Sequence, residues 1–97
     1  MALEPKLIKL ALKGDERGSL IALEGARNIP FDIKRAYFIF DTLPGIRRGK
    51  HAHRTLQQLA VCVHGACKIL LDDGRSRATV ELKTPDVALY LPPMIWH

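Results

Sequence analysis

The 97-residue sequence contains no long hydrophobic run. No apolar stretch approaches the roughly 20 residues that a membrane-spanning helix needs. The first apolar segment is interrupted by Glu4, Lys6 and Lys9, and no cleavage-like site follows it. We therefore expect no signal peptide, no membrane association and a cytoplasmic location.

Cysteine is scarce, with Cys62 and Cys67 as the two examples. Their separation is not a zinc-ligand spacing, and two thiols do not make a disulfide framework. Because free cysteines are among the most frequently buried residues, we expect two buried free thiols on neighbouring strands.

Runs of like charge are also missing. The formal net charge is +5, but the basic residues are scattered along the chain. This distribution argues against a nucleic-acid-binding stripe, whereas a basic balance suits phosphorylated small molecules. The length and the 47% apolar composition indicate one globular domain, residues 1–97.

What the sequence does contain is a series of short strand-like segments separated by turns at intervals of roughly 8–12 residues. The clearest early strand is predicted over residues 28–41, where Arg35 and Tyr37 share a face. Residues 7–12 fit either a strand or an amphipathic turn. Later strands are predicted in the segments "SLIALE", "QQLAVCVHG", "ACKILLD", "RATVELK" and "VALYL", with a hairpin turn at "DDGR". The pattern predicts an all-β sandwich or barrel.

Two histidines, His51 and His53, follow the Pro44–Gly45 loop and precede a predicted strand. Side chains two positions apart on a strand point to the same face. Such a pair can hold a metal ion or act as an acid/base pair, and chance also produces it.

The spacing around these histidines resembles the first motif of the cupin superfamily, G-x5-H-x-H-x3,4-E-x6-G. Gly45, His51, His53 and Gly65 match it, and Gln58 stands where the motif has glutamate. Pro92 and His97 resemble the second motif, in which Asp86 and Met94 replace two glycines. A glutamine offers a neutral carbonyl oxygen instead of a carboxylate, which favours histidines that work without metal.

A more specific resemblance covers nearly the whole chain. The segments "NIPFDIKRAYFIFDT", "RGKHAH", "LDDG" and "LYLPPMIWH" are similar to the sugar 3,4-ketoisomerases of the WxcM-like cupin family. The resemblance implies an antiparallel jelly-roll barrel and a homodimer. Because an incomplete barrel would leave apolar strands such as "AVCV" and "KILL" partly uncovered, we expect partner strands to cover or extend the sheet, with exchange of the N-terminal segment as one form. It also implies a dTDP-linked keto-deoxysugar as substrate, and no metal or other cofactor. Members continue beyond the Trp-His pair, so we expect a barrel that is incomplete at the C-terminus.

In this reading, His51 is the base that removes the C3 proton, and His53 moves the second proton or binds the developing oxyanion. Tyr37 is a third catalytic candidate, because its hydroxyl can donate to a sugar oxygen. The candidate substrate-binding residues are Arg35, Arg48, Gln58, Trp96 and His97. Both arginines suit a diphosphate, and Gln58 is also a candidate to hold a histidine tautomer.

Two other functions remain open from the sequence. One is a metal-dependent cupin enzyme, in which the three histidines bind zinc or iron. The other is a cupin module that binds a nucleotide sugar and turns nothing over.

Overall fold

A computed structural model of the chain describes residues 4–41, 56–95 and 97. All regular secondary structure in these residues is β-strand, as the sequence predicts. The strands are β1 (Lys6–Lys9), β2 (Lys13–Asp15), β3 (Gly18–Leu20), β4 (Gln58–Ala60), β5 (Cys67–Asp72), β6 (Arg77–Leu82) and β7 (Val87–Leu91). No helix in the described residues is long and apolar enough to cross a membrane.

The central sheet has the order β1–β7–β4, and both pairings are antiparallel. Its middle strand, β7, has the sequence VALYL and contributes buried residues to both faces of the sheet. Leu89 and Leu91 pack into one core cluster and Ala88 into another. This distribution follows from the two-residue period of a strand, which sends neighbouring side chains to opposite faces.

The first core cluster joins the central sheet to the β5–β6 hairpin. Its buried members are Leu71, Val80, Leu82, Leu89 and Leu91. The hairpin turns where the sequence predicts it, with Gly74 at a φ of 91°, a conformation that a side chain would strain. The Asp73 carboxylate accepts hydrogen bonds from the backbone N–H groups of Ser76 and Arg75, which hold its pKa below the ordinary aspartate value.

The second core cluster covers the other face of the central sheet with the N-terminal part of the chain. Leu10, Ile29 and Ala88 are its buried residues. Between β3 and Ile29 the chain folds around Asn28, whose side chain accepts a hydrogen bond from the backbone N–H of Glu24 and donates one to the carbonyl of Ala22. These contacts replace the ladder bonds that a continuing strand would make.

Three sequence predictions are corrected here. The strand predicted over residues 28–41 is wrong: an isolated bridge joins Gly25 to Ile29, and residues 30–41 have no strand assignment. An alternating pattern shows which side chains share a face, but a strand also needs a hydrogen-bonded neighbour, and the described residues supply none there. The strands predicted in "SLIALE" and "QQLAVCVHG" are shorter than expected, because only Gly18–Leu20 and Gln58–Ala60 pair with a neighbour. Cys67 is exposed and Cys62 half-buried, although both are free thiols as predicted.

Candidate functional site

Two neighbouring glutamines at the start of β4 point to opposite sides of the central sheet. Gln58 is the first residue of β4, and its register partner is Leu91 on β7. By the pleat of the strand, Gln58 shares a face with Ala60, which packs against the first core cluster. The side chain of Gln57 reaches Tyr90, on the face of the second cluster.

Gln58 holds the hydroxyl of Tyr37. The side-chain Nε2 of Gln58 donates a hydrogen bond to the Tyr37 hydroxyl oxygen at 3.3 Å. Tyr37 remains 56% exposed, so its side chain is not part of the hydrophobic core. The two residues are 21 positions apart in sequence, and this contact connects the segment after Phe31 to the central sheet.

Arg35 lies against the same tyrosine. The centre of its guanidinium group is 5.4 Å from the centroid of the Tyr37 ring, within the range of a cation–π interaction. The guanidinium keeps its planar set of N–H donors, which match carboxylate or phosphate oxygens. Arg35, Tyr37 and Gln58 therefore form a cluster that presents a cation, a hydroxyl and an amide.

The backbone that leads into this cluster is held by a close contact at Gly25. A Cβ atom on Gly25 would lie 3.0 Å from the carbonyl oxygen of Phe31 and 3.0 Å from the backbone nitrogen of Ile33. Such contacts are tighter than almost all real Cβ contacts, so a side chain at this position would force the neighbouring backbone to shift. The Phe31 ring also contacts Tyr90, with 6.2 Å between the ring centroids. The chain is thus anchored at residues 31–33, just before Arg35.

A second tyrosine site was not foreseen from the sequence. The Tyr90 hydroxyl donates to the Gln57 side-chain oxygen at 2.6 Å, and the Lys6 ammonium lies 5.3 Å from the ring centroid. The available signal was the "QQ" pair at the start of a predicted strand, because neighbouring strand residues must serve opposite faces.

Four of the predicted site residues, His51, His53, Arg48 and Trp96, lie outside the described residues. Within the described residues, no group of three histidine, cysteine or acidic side chains could hold a metal ion. His97 is half-buried. Of the eight predicted residues, the structure brings together Arg35, Tyr37 and Gln58.

Comparison with known proteins assigns the family. The family model FdtA, described as "WxcM-like, C-terminal", matches residues 3–97. The chain belongs to this WxcM-like family. The resemblance recognised in the sequence motifs is therefore confirmed.

Individual relatives cover almost all of this chain. It is 47% identical over 95 residues to a TDP-4-oxo-6-deoxy-α-D-glucose-3,4-oxoisomerase from Aneurinibacillus thermoaerophilus, covering 98% of this chain and 68% of the relative. A crystal structure of a 3,4-ketoisomerase from Helicobacter canadensis is similar with a TM-score of 0.92 and 42% identity, over 97% of this chain and 71% of that one.

A third relative was solved with a sugar nucleotide bound. It is a histidine-to-asparagine mutant of the 3,4-ketoisomerase QdtA from Thermoanaerobacterium thermosaccharolyticum, in complex with TDP-4-keto-6-deoxyglucose. Its TM-score is 0.93 and its identity 38%, over 99% of this chain and 70% of that one. These matches confirm the predicted all-β, cupin-like fold with antiparallel sheets.

Proposed function

We propose that this chain is a nucleotide-sugar 3,4-ketoisomerase that converts dTDP-4-keto-6-deoxyglucose into a dTDP-3-keto-6-deoxyhexose. The observation that carries the proposal is the 47% identity to an oxoisomerase of this type over 98% of the chain. The cluster of Arg35, Tyr37 and Gln58 supports it, because it combines an anion-binding group with hydroxyl and amide groups that suit a sugar.

The reaction is a proton-transfer isomerisation. A base removes the proton from C3, the electron pair of that C–H bond forms a C3=C4 double bond, and the C4 carbonyl oxygen becomes an enolate or enol. Delivery of a proton to C4 and loss of the proton from the C3 hydroxyl then leave the carbonyl at C3. No net oxidation occurs, so the chemistry requires no external oxidant or reductant.

In this proposal His51 removes the C3 proton, because an imidazole titrates near neutral pH. His53 delivers the proton to C4 or stabilises the oxyanion. Tyr37 donates its hydroxyl proton toward the oxygen on which negative charge develops. A donor already in place when charge develops stabilises the transition state more than the ground state.

Binding of the nucleotide part is assigned to the arginines. The Arg35 guanidinium packs on the Tyr37 ring face, which places a cation beside the proposed sugar site. Together with Arg48 it would contact the diphosphate through paired N–H groups. Trp96 and His97 would line the entrance of the pocket.

Catalysis without a metal ion is part of the proposal. In the cupin motif the residue at Gln58 is a carboxylate that helps to balance a divalent charge, whereas here an amide donates to Tyr37 instead. A metal-dependent cupin enzyme is the alternative. Metal analysis of the active protein distinguishes the two, since stoichiometric zinc or iron that is needed for turnover would contradict the metal-free mechanism.

The decisive experiment follows the conversion of dTDP-4-keto-6-deoxyglucose by NMR in D2O. The unmodified chain should form the 3-keto product and exchange the C3 proton. His51→Asn should block both, with a loss of about 10²–10⁴ in rate and nearly unchanged binding of TDP. His53→Asn should slow product formation but still allow exchange at C3.

The same assay tests the second alternative. Binding of the nucleotide sugar by the unmodified chain without exchange or product would indicate a binding module instead of an enzyme. Exchange at the unmodified rate in His51→Asn would reject His51 as the base.

We also propose a homodimer, as the sequence predicts. Exposed apolar side chains at Val63 and Leu70 support it, since a second copy could cover them. Light scattering at micromolar concentration should give twice the mass of the chain, and Leu70→Lys should weaken association. A monomer at that concentration would contradict this proposal.

The cytoplasmic location also stays a proposal, supported by two free thiols that suit a reducing compartment.

A further inference from the structure

We infer that Gln58 is a positioning residue for Tyr37: its side-chain amide occupies one lone pair of the phenolic oxygen and so directs the hydroxyl proton of Tyr37 toward the bound sugar. This inference rests on the proposed isomerase function. It gives Gln58 a role through Tyr37 and not through a histidine or a metal ion.

The direction of the hydrogen bond is the first argument. A tyrosine hydroxyl has one proton to donate and lone pairs that accept. Gln58 Nε2 donates to the Tyr37 oxygen at 3.3 Å, so this contact uses a lone pair and not the proton. This contact consequently leaves the Tyr37 proton for another acceptor, and the exposed side chain gives a ligand access to this residue.

On the other face of the central sheet, Tyr90 makes the opposite kind of hydrogen bond with Gln57, the residue before Gln58. Its hydroxyl donates to the Gln57 side-chain oxygen at 2.6 Å, so its proton is already used within the protein. The Phe31 ring and the Lys6 ammonium also pack against Tyr90. Gln57 therefore accepts the proton of a tyrosine, whereas Gln58 donates to a tyrosine whose proton has no acceptor among residues 4–41, 56–95 and 97.

The difference in support between the two partners is the third argument. Gln58 belongs to β4, which is bonded to β7 in the central sheet. Tyr37 belongs to residues 30–41, which have no strand assignment. The Gln58 amide thus ties the hydroxyl of a weakly supported residue to the sheet, while Arg35 packs on the ring. Catalytic groups need this kind of support, because an ångström of misplacement lowers the rate strongly.

Gln58→Glu is the sharpest variant. An ionised carboxylate has nearly the shape of the amide but only accepts hydrogen bonds, so it should draw the Tyr37 proton away from the sugar. We expect kcat for the isomerisation to fall about 10–100-fold, the usual loss when a partner that orients a functional group is removed, with KM nearly unchanged. Gln57→Glu is the matched control, because a carboxylate still accepts from Tyr90. It should keep kcat within about twofold of the unmodified protein, as expected for a conservative change away from the reacting atoms.

Two further readouts separate positioning from a general structural role. The carboxyl group introduced by Gln58→Glu regains an O–H donor when it is protonated, so the activity of this variant relative to the unmodified protein should rise as the pH falls. Gln58→Ala should show no such rise. In a Tyr37→Phe background, Gln58→Glu should cause little additional loss, since the interaction it perturbs is already absent. An equal loss in both backgrounds would overturn the inference.

A spectroscopic measurement tests the contact without relying on turnover. The chain has two tyrosines, so tyrosine labelled with 13C at the Cζ position gives two resonances, assigned with Tyr37→Phe. Gln58→Glu should shift the Tyr37 signal and Gln57→Glu the Tyr90 signal. If the unmodified chain has no isomerase activity while Tyr37 responds to Gln58, the proposed function fails and the contact stands. If the chain is active and neither kcat nor the Tyr37 signal responds, the positioning role is rejected.

Discussion

Residues 67–91 and residues 32–41 are both rich in apolar side chains, yet they bury them to very different extents. In the first region Leu82 and Leu89 are 1% and 0% exposed, inside a cluster shared by β5, β6 and β7. In the second region Phe38 and Phe40 are 79% and 78% exposed. Alternation of apolar residues is present in both, but the first region has hydrogen-bonded neighbours on which to pack.

The two regions contribute different residues to the candidate site. Gln58 lies on the sheet that the first region stabilises, and Arg35 and Tyr37 lie in the second region. Few buried apolar contacts and few ladder bonds are the features of parts of a protein that open with low free energy. The side chains that would contact a sugar therefore come from a weakly supported segment that is attached to a stable sheet.

The largest expected effect is the loss of a central side chain. Leu89→Ala should lower the free energy of unfolding by about 3 kcal/mol, because it removes buried apolar atoms and leaves a cavity between β7 and the β5–β6 hairpin. Leu7 is the matched control: it is the register partner of Leu89 but 51% exposed. Leu7→Ala should cost less than about 1 kcal/mol. Urea unfolding measures both, and equal losses would contradict the contrast in packing.

The same contrast explains what the sequence could and could not predict. The β5–β6 hairpin was predictable, because alternation and a "DDG" turn are local signals and its two strands pair with each other. The position of β7 was predictable from its short apolar run, but its pairing with the distant strands β1 and β4 was not. The 28–41 strand was predicted wrongly, because alternation does not show whether a segment has a hydrogen-bonded neighbour. At the site, the shared face of Arg35 and Tyr37 was predictable from alternation, and it is consistent with their contact. The bond from Gln58 to Tyr37 is long-range and required the fold.

The next-largest effect is expected at Gly25, because the backbone that it contacts leads directly into the exposed residues 32–41. Gly25→Ala should lower the free energy of unfolding by about 1–3 kcal/mol, the usual cost of overpacking. The new Cβ would meet backbone atoms of Phe31, Asp32 and Ile33 at 3.0–3.1 Å. The displaced backbone leads to Arg35 and Tyr37, so the Tyr37 13C resonance should also move.

Gly14→Ala is the control for this change. A Cβ on Gly14 would approach its nearest atoms only to 3.3 Å, in the exposed β2–β3 hairpin. It should cost less stability than Gly25→Ala and leave the Tyr37 resonance unchanged. A Gly25→Ala protein with unchanged stability and an unchanged Tyr37 signal would show that the loop does not anchor the segment.

A smaller effect is expected on the reactivity of Cys67, the first residue of β5, which lies near Cys62. Cys67 is exposed as a residue, but partial desolvation of its thiol, followed by the neighbouring Cys62, raises the pKa of this thiol above its ordinary value. Because the thiolate is the nucleophile, iodoacetamide should alkylate Cys67 at pH 8 more slowly than an ordinary exposed thiol. The rate should continue to rise at higher pH. Cys62→Ser should accelerate the reaction by removing the second cause while burial remains.

Mass spectrometry of the alkylated peptide follows Cys67 directly, and Cys67→Ser gives the rate of Cys62 alone. A rate for Cys67 that levels off near the pH of a free thiol would mean that neither partial desolvation nor Cys62 disfavours the Cys67 thiolate.

The smallest expected effect is at Phe38. With 79% of its surface exposed, its side chain gains little from folding, so Phe38→Ser should change the free energy of unfolding by less than about 0.5 kcal/mol. Phe31→Ser is the comparison, since the half-buried Phe31 ring packs with the second core cluster and contacts Tyr90. Phe31→Ser should lower the free energy of unfolding several times more than Phe38→Ser does.

Urea unfolding at two protein concentrations measures the effect of both substitutions. A loss above about 1 kcal/mol for Phe38→Ser would show that residues 32–41 are covered in solution. If that loss grows with protein concentration, a second copy of the chain provides the cover, because association stabilises a folded state by mass action.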